Sequence, residues 1–414
     1  MVKGCWTLVR PLASDAIEDH PTTPRDEIAV FYDAHPYPPP VESLERALIG
    51  WDDPGRRRVE HFLHWPTLPY REERTILIAG CGTSQAARWA ARHPAARVVG
   101  IDVSPSSLEA TRTLAESHDV TNLELRELPI EEVGDLGEGF DQIVCTGVLH
   151  HLADPEAGLQ ALRASLAPDG AMQLMVYATH GRTGISMMRE YCRRLGIGAE
   201  DVSALMDVLK EVPLGHPMSH VLREARDFED RDAIADALLN PREQDYTAPE
   251  LFDLLDQGGM QFARWVRQAP YRPQCGIMGR LPHGAQIAAL AEVDQYAAME
   301  LFRGTITRHS LIAHRDDASL QPLDWSDGDS RSFVPIIPTT VIVVEDRLPP
   351  GKAAAVINQA HVDRDLVCFL DRDQLSVFRA IDGERSLEDI PGAEAGFLEH
   401  LWMHDLVVVD ASAW

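Results

Sequence analysis

Hydrophobic positions in the central part of the chain follow two rhythms. The short apolar run Thr75–Ala79 and Arg97–Ile101 read as strands covered on both faces, and Leu123–Leu128, Phe140–Gly147 and Met172–Ala178 read as three more strands. Between them lie helical patterns. Gln85–Arg92 sets Ala86, Trp89 and Ala90 on one side and Arg88 and Arg92 on the other, and Pro94 ends it. Ser104 and Pro105 supply a cap and a first-turn proline for a helix over Ser107–His118, and Asp154-Pro155 leads into another that closes at Ala167-Pro168-Asp169-Gly170. Strand and helix in alternation predict an α/β fold with a doubly wound sheet.

After Met172–Ala178 the pattern changes. Tyr177–Ile185 opens a long helical insertion that runs to about Leu239 and is broken at Asn240-Pro241. Tyr246–Glu250 caps a further helix through Leu255, and Gly258-Gly259 ends it. Phe262–Gln268 then reads as a sixth strand, Leu281–Arg303 as an amphipathic helix, and Thr305–His314 alternates as a seventh, edge strand. These patterns assign residues 71–317 to the sheet-bearing domain, with 181–245 as its insertion. Residues 1–70 precede it as a lid or helical segment. There Met1–Arg25 is polar and irregular, Phe31–Pro40 (F-Y-D-A-H-P-Y-P-P-P) predicts a stiff extended apron, and Val41–Leu63 predicts helix broken at Trp51–Gly55. Residues 318–414 form a small α+β unit behind the acidic linker Leu320–Arg331. Its expected elements are a strand over Thr339–Glu345, a helix over Lys352–His361, a strand over Leu366–Leu370, and a winged-helix-like end in Phe378–Ile390 and Phe397–Val409.

An apolar fraction of 45% and a charged fraction of 25% are ordinary for a globular chain, but the formal net charge of -27 is not. It argues against nucleic acid, whose phosphates need a Lys/Arg footprint, and disfavours an anionic membrane surface. The six cysteines are scattered without a C-x-x-C pair, so neither disulfides nor a zinc site is expected and a reducing cytosol is the natural home. No signal peptide is expected at Met1–Arg10, and no apolar run is long enough to span a membrane.

The chemistry concentrates at Gly80-Cys81-Gly82, a tight turn between the first strand and its helix, and at Asp102, which closes the second strand. Glycines let backbone approach a ligand and a strand-end acid accepts hydrogen bonds from ribose hydroxyls, so an adenosine-containing ligand is implied. A dinucleotide loop G-x-G-x-x-G would need glycine at 85, where Gln85 stands, so a ligand with ribose but without phosphates fits better. A second motif is Leu149-His150-His151-Leu152 followed by Leu166-Ala167-Pro168-Asp169-Gly170, in the order and spacing that accompany the first. On these residues the stretch Thr75–Arg182 resembles the class I S-adenosylmethionine (SAM)-dependent methyltransferases. Two departures stand out: Ala79 holds the place of the usual acid before the first glycine, and Ser84 that of a third glycine.

The resemblance implies a Rossmann-like seven-stranded sheet, SAM as cofactor with S-adenosylhomocysteine as product, and no metal. Carried over position by position, it implies cofactor contacts from Gly80, Cys81, Gly82, Ser84, Gln85, Asp102, Val103, Thr146 and, at the end of the third strand, Leu128 and Glu127, with Glu131 as the alternative carboxylate. The proline-aromatic apron sits where a lid lies in many such enzymes, with Tyr37 reaching the cofactor and Tyr32 and His35 the substrate. The insertion follows the fifth strand at the carboxyl ends of the sheet, where open α/β sheets bind ligands, and is the expected substrate cover.

Methyl transfer from a sulfonium requires alignment first, and a base only if the nucleophile must lose a proton. Candidates delivered by the strand ends are His150, Tyr177 and His180, with His151 beside them, and Arg182, Tyr246 and Tyr271 are candidate substrate contacts. Arg182 either clamps a substrate carboxylate or caps the sheet. His216 and His220 are read as structural, not metal-ligating. The last unit is similar to PqqD-like peptide-binding domains through Ile381-Asp382-Gly383 with Ser386 and the closing Asp405-Leu406-Val407. Three readings stay open: a methyltransferase acting on a small metabolite under the insertion, one acting on a peptide or protein recruited by residues 318–414, and a SAM-binding scaffold without transfer activity. A homodimer is left open.

Overall fold

The computed structural model describes residues 27–224, 228, 230–320, 322–325 and 328–412, so Met1–Arg25, with Cys5, lies outside the described residues. The central sheet contains β1 (Thr75–Ala79), β2 (Arg97–Asp102), β3 (Leu123–Glu127), β4 (Phe140–Thr146), β5 (Leu166–Tyr177), β6 (Met260–Trp265) and β7 (Arg308–Arg315) in the order β3-β2-β1-β4-β5-β7-β6. β1 to β5 run parallel, and β7 lies antiparallel between β5 and β6. The seventh strand is therefore not the edge; β6 is. Leu311, Ile312 and Ala313 of β7 are all fully buried, as a strand covered on both faces requires, whereas β6 buries only Met260, Arg264 and Trp265.

The N-terminal segment begins with α1 (Glu27–Ala34), a single turn α2 (Glu45–Leu48) and α3 (Pro54–His64). The apron is thus helical up to Ala34 and extended only beyond it, with a cis bond between Tyr37 and Pro38. Asp53 caps α3 by accepting from the Gly55 amide, which accounts for the break at Trp51–Gly55. Between the strands run α4 (Gln85–Arg92), α5 (Pro105–Ser117) and α6 (Pro155–Ala164); Ser104 and Asp154 cap the last two. Apolar clusters cover both faces of the sheet: Ile76, Ile78, Val98 and Val144 on one, Leu77, Val99, Ile143 and Leu174 on the other.

β5 feeds four helices: α7 (Thr183–Leu195), α8 (Val202–Lys210), α9 (Met218–Glu224) and α10 (Arg231–Leu239). They share an apolar cluster with Ile185, Met188, Leu205, Met218, Ile234 and Leu238, and Phe31 of α1 is part of it. The N-terminal helix therefore packs on the insertion as well as against α5. α11 (Ala248–Gln257) starts with a capping box in which Thr247 accepts from the Glu250 amide and Glu250 from the Thr247 amide. α12 (Pro282–Ala288) and α13 (Glu292–Arg303) then lead into β7.

In the C-terminal unit β8 (Val334–Ile336) pairs with β12 (Val408–Asp410), and β9 (Val341–Val344), β10 (Ala354–Asn358) and β11 (Val367–Leu370) form an antiparallel sheet in the order β11-β10-β9. α14 (Arg372–Ala380) and α15 (Ala395–Met403) complete it. The expected helix over Lys352–His361 is instead the central strand β10. Ala354, Ala355 and Val356 are buried between two partner strands, so tertiary packing overrides the helical preference of the alanines. The unit docks through Asp405, whose buried carboxylate accepts from Arg264 at 3.2 Å and from the Ala269 amide at 3.0 Å.

Candidate active site

A cavity of about 450 Å³ opens at the carboxyl ends of β1, β2, β4 and β5, within the range of small-molecule sites. The glycine turn forms its floor. Gly80 (φ 70°) and Gly82 (φ 54°) both lie in the left-handed region, and the amides of Gly80 and Cys81 each donate to the Ile101 carbonyl at 2.9 Å. A Cβ on Gly80 would meet Val148 at 2.3 Å, so the turn can carry no side chain there. Asp102 ties this turn to the next strand end, accepting from the Gly82 amide at 2.8 Å and the Ser104 amide at 2.9 Å. Burial raises its pKa against the pull of those backbone amides. A carboxylate offers about four acceptor positions, so capacity remains for a ribose hydroxyl.

Side chains of the turn are braced from outside. Thr83 donates to the Pro38 carbonyl at 2.7 Å, Thr111 to the Gly82 carbonyl at 2.7 Å, and Ser104 to Asp33 at 2.7 Å. Gln85 donates to Thr146 at 2.6 Å, joining the start of α4 to the end of β4. The cavity is lined by Gly80, Cys81, Gly82, Ser84, Gln85, Asp102, Val103, Leu128, Thr146 and Tyr37, ten of the eleven positions expected to contact the cofactor. Glu127 is the exception. It is exposed at the end of β3, and the lining carboxylate there is Glu131. A glycine cradle that admits no Cβ at Gly80, with an acid beside it, fits the ribose and amino-acid parts of SAM.

The other half of the cavity lies under the insertion. Here Ile28, Ile185, Val221, Phe228, Ala233 and Ala237 surround a polar group made of Tyr32, Tyr177 and Asp236. Tyr32 donates to Asp236 Oδ1 at 2.8 Å, and Asn240 Nδ2 approaches the same oxygen at 3.3 Å. Oδ2 receives only the Tyr177 hydroxyl, at 3.5 Å, among the described residues. Burial and the Asp236 charge push both tyrosines well above the usual phenol range, so they remain donors. Arg182 also lines this half, its guanidinium 3.5 Å from the centre of the Tyr177 ring. It is engaged by Glu243 at 2.8 Å and Asp245 at 3.3 Å, and Arg189 stands 3.6 Å from Glu243. Arg182 thus already holds two carboxylates of its own chain.

Of the remaining sequence candidates only His151 reaches the cavity. His150 is fully buried behind it, its ring 4.1 Å from that of Tyr177 and 4.2 Å from that of His151, and burial holds it neutral. The neighbouring His151 does line the cavity; its Nδ1 donates to the Arg242 carbonyl at 2.7 Å, which leaves Nε2 as the acceptor nitrogen. His180 sits outside the lining, on the turn into α7, where its carbonyl accepts from Thr183. His35 pairs with Asp232 at 2.9 Å on the outer side of α10. Tyr246 is buried with its backbone paired to Tyr177 and Thr179. Tyr271 stacks on Trp265 at 3.9 Å and donates to His309 at 2.8 Å, inside the core. Asp236 was missed by the sequence reading. Its signal was a carboxylate in the middle of the apolar run Ala233-Ile234-Ala235-Asp236-Ala237-Leu238, a place where an unpaired charge is costly.

Residues 77–172 match the family described as methyltransferase domain. An uncharacterized protein of Synechococcus sp. is 27% identical over 327 residues, covering 75% of this chain and 76% of that one. The ubiquinone biosynthesis O-methyltransferase of Acinetobacter baylyi is 30% identical over 128 residues, 29% of this chain and 53% of that protein. The chain therefore spans about half the length of that relative. A solved structure of PKMT2 from Rickettsia typhi shares the fold with a TM-score of 0.59 at 15% identity, covering 87% of this chain and 75% of that one, and a second structure of it holds AdoHcy. With the strand order, the glycine cradle and the strand-end acid, the match makes residues 77–172 a methyltransferase domain in a chain that resembles the class I SAM-dependent methyltransferases, and the cradle is suited to SAM. Among the described residues no helix is long and apolar enough to cross a membrane.

Proposed function

We propose that the chain moves the methyl group of SAM to a small-molecule acceptor held beneath the insertion, releasing S-adenosylhomocysteine. The observation that carries this reading is the continuity of one cavity from the glycine turn to the apolar chamber under α7 to α10. The sulfonium supplies an activated methyl group with a neutral leaving group. What the chain supplies is position: Gly80, Gly82 and Asp102 fix one end of the cavity, and Tyr32, Tyr177 and α10 wall the other. α1 covers one side of the chamber and packs on the insertion through Phe31. Small size supports a metabolite, since a folded protein would have to thread a segment past α1 and α10. A cytosolic enzyme without a resident metal is the accompanying reading.

The test is transfer of label from methyl-labelled SAM into a host extract separated by size, with the Asp102→Ala chain as control. Label in small molecules, absent from the control, is the expected result. Label confined to macromolecules would overturn the small-molecule acceptor and favour a peptide recruited by the C-terminal unit. No transfer by a chain that binds SAM would leave a scaffold.

A further inference from the structure

The chamber beyond the cofactor cradle carries a carboxylate that no part of the family match covers, since Asp236 lies outside residues 77–172. Asp236 is 2% exposed as a residue, yet it lines the cavity. Its two oxygens are used unequally. Oδ1 is held by Tyr32 at 2.8 Å and Asn240 at 3.3 Å, whereas among the described residues Oδ2 receives only the 3.5 Å approach of Tyr177. One oxygen anchors the side chain and the other keeps its acceptor capacity toward the chamber.

The surrounding charges do not cancel it. Arg182 is bound to Glu243 and Asp245, and Arg189 stands 3.6 Å from Glu243, so both cations are engaged by groups other than Asp236. On its own helix, Asp232 is paired with His35. His151 lines the same wall, but burial lowers its pKa and it stands neutral. Arg308, opposite Tyr177 in the β5–β7 ladder, is exposed at the rim, where water screens it. The chamber is therefore an apolar pocket with one underused anionic oxygen, a poor host for an anion and a good one for a group that arrives with a proton.

We infer that Asp236 Oδ2 is the proton acceptor of the transfer, and that the methyl acceptor is a protic nucleophile on an apolar carrier, an ammonium or a hydroxyl group and not a carboxylate. This rests on the proposed function of the same cavity. In the step, the N–H or O–H bond breaks with its proton going to Oδ2. The electron pair left on the acceptor forms the new bond to the methyl carbon. The carbon–sulfur bond breaks with its pair going to sulfur, which becomes the neutral thioether. Tyr32 and Asn240 hold Oδ1 so that Oδ2 stays aimed into the chamber; they are positioning residues.

Four measurements on the full chain test this. Label transfer from methyl-labelled SAM into the small-molecule extract should fall at least a hundredfold in Asp236→Asn, the usual worth of a general base, while Asp236→Glu keeps part of it. SAM affinity by calorimetry and the melting temperature should stay close to wild type in Asp236→Asn, which retains an oxygen for Tyr32. The labelled product should survive mild base, as an ether or a methylamine; retention on a cation exchanger separates the amine from the ether, and either supports the inference. Charge selection is read without turnover by titrating benzylammonium and benzoate into AdoHcy-saturated protein. The cation should bind at least tenfold tighter, and the preference should vanish in Asp236→Asn. The inference is overturned by undiminished transfer in a folded Asp236→Asn chain, by loss of transfer in His151→Asn but not in Asp236→Asn, by label released as methanol from a base-labile ester, or by absence of the charge preference. A wild-type chain that binds SAM and labels nothing fails at the proposed function itself, and the Asp236 step falls with it.

Discussion

At the cofactor end of the cavity the contacts that shape the floor are made by backbone: two left-handed glycines, amides donating to the Ile101 carbonyl, and an Asp102 that accepts from two further amides. At the acceptor end the same job falls to side chains from separate elements. Tyr32 comes from α1, Tyr177 from β5, Asp236 from α10, and Arg182 is held by carboxylates beyond α10. A backbone-built site is set by a few local residues at fixed spacing and tolerates little change. A site built from side chains depends on long-range packing of the insertion, and its chemistry can vary without disturbing the sheet.

The largest effect should come from Asp102→Ala. It removes the acceptor for two loop amides and for the ribose, and two charge-assisted bonds at about 1.5–3 kcal/mol each correspond to roughly 10²–10⁴ in SAM affinity. Calorimetry with SAM reads this directly. An affinity within threefold of wild type would show that the cofactor end is not organised around the strand-end acid.

This contrast also explains what could be read from the chain. The glycine turn, Asp102, Ser104 and Asp154 act on neighbours a few residues away, so spacing alone placed them. Capping at Thr247 and Glu250 was legible for the same reason. Asp236 was not, because its meaning lies in Tyr32, at a sequence separation of 204 residues, and no local pattern records that pairing. The histidines misled in the opposite direction: a vicinal pair at a strand end looks like chemistry, but His150 faces the back of Tyr177 while its neighbour reaches the cavity. In the C-terminal unit the alanines of β10 carried a helical preference that two flanking strands overrode.

Next in size is Arg182→Ala, which acts on the acceptor end only. It leaves Glu243, whose side chain is 1% exposed, and Asp245 without their main cation. Breaking a buried pair in this way costs roughly 3 kcal/mol, the low end of the usual range because Glu243 can take up a proton. Urea unfolding should show the loss, with SAM affinity changed by less than threefold. A large loss of SAM binding instead would mean that the two ends of the cavity are mechanically coupled.

Glu243→Gln sharpens the same point through pH. Burial pushes the Glu243 carboxyl up to about 7, from an ordinary 4.5, against the pull of Arg182 and Arg189. A carboxyl raised in the fold is favoured there as the acid, so its contribution is whole below the unfolded value and is lost as pH rises through about 7. From pH 5 to pH 8 wild type should therefore lose about 1–3 kcal/mol relative to the Gln variant, measured as the difference of their unfolding free energies. Parallel pH curves would mean that Glu243 stays ionised beside Arg182 throughout.

Tyr271→Phe, the smallest expected effect, asks whether a tyrosine that looked like a site residue belongs to the fold. Its hydroxyl donates to His309 Nδ1 at 2.8 Å, while His309 Nε2 donates to the Tyr246 carbonyl at 3.0 Å. Removing it leaves one buried ring nitrogen without a partner and keeps the stack on Trp265 at 3.9 Å. The cost should be about 1–2 kcal/mol in stability, with SAM affinity and label transfer unchanged. Both outcomes inform the comparison, because β7 carries His309 in the core and Arg308 at the cavity rim. If transfer falls while stability holds, the acceptor end extends through β7 to Tyr271, and the division between its side chains and the core has to be moved by one strand.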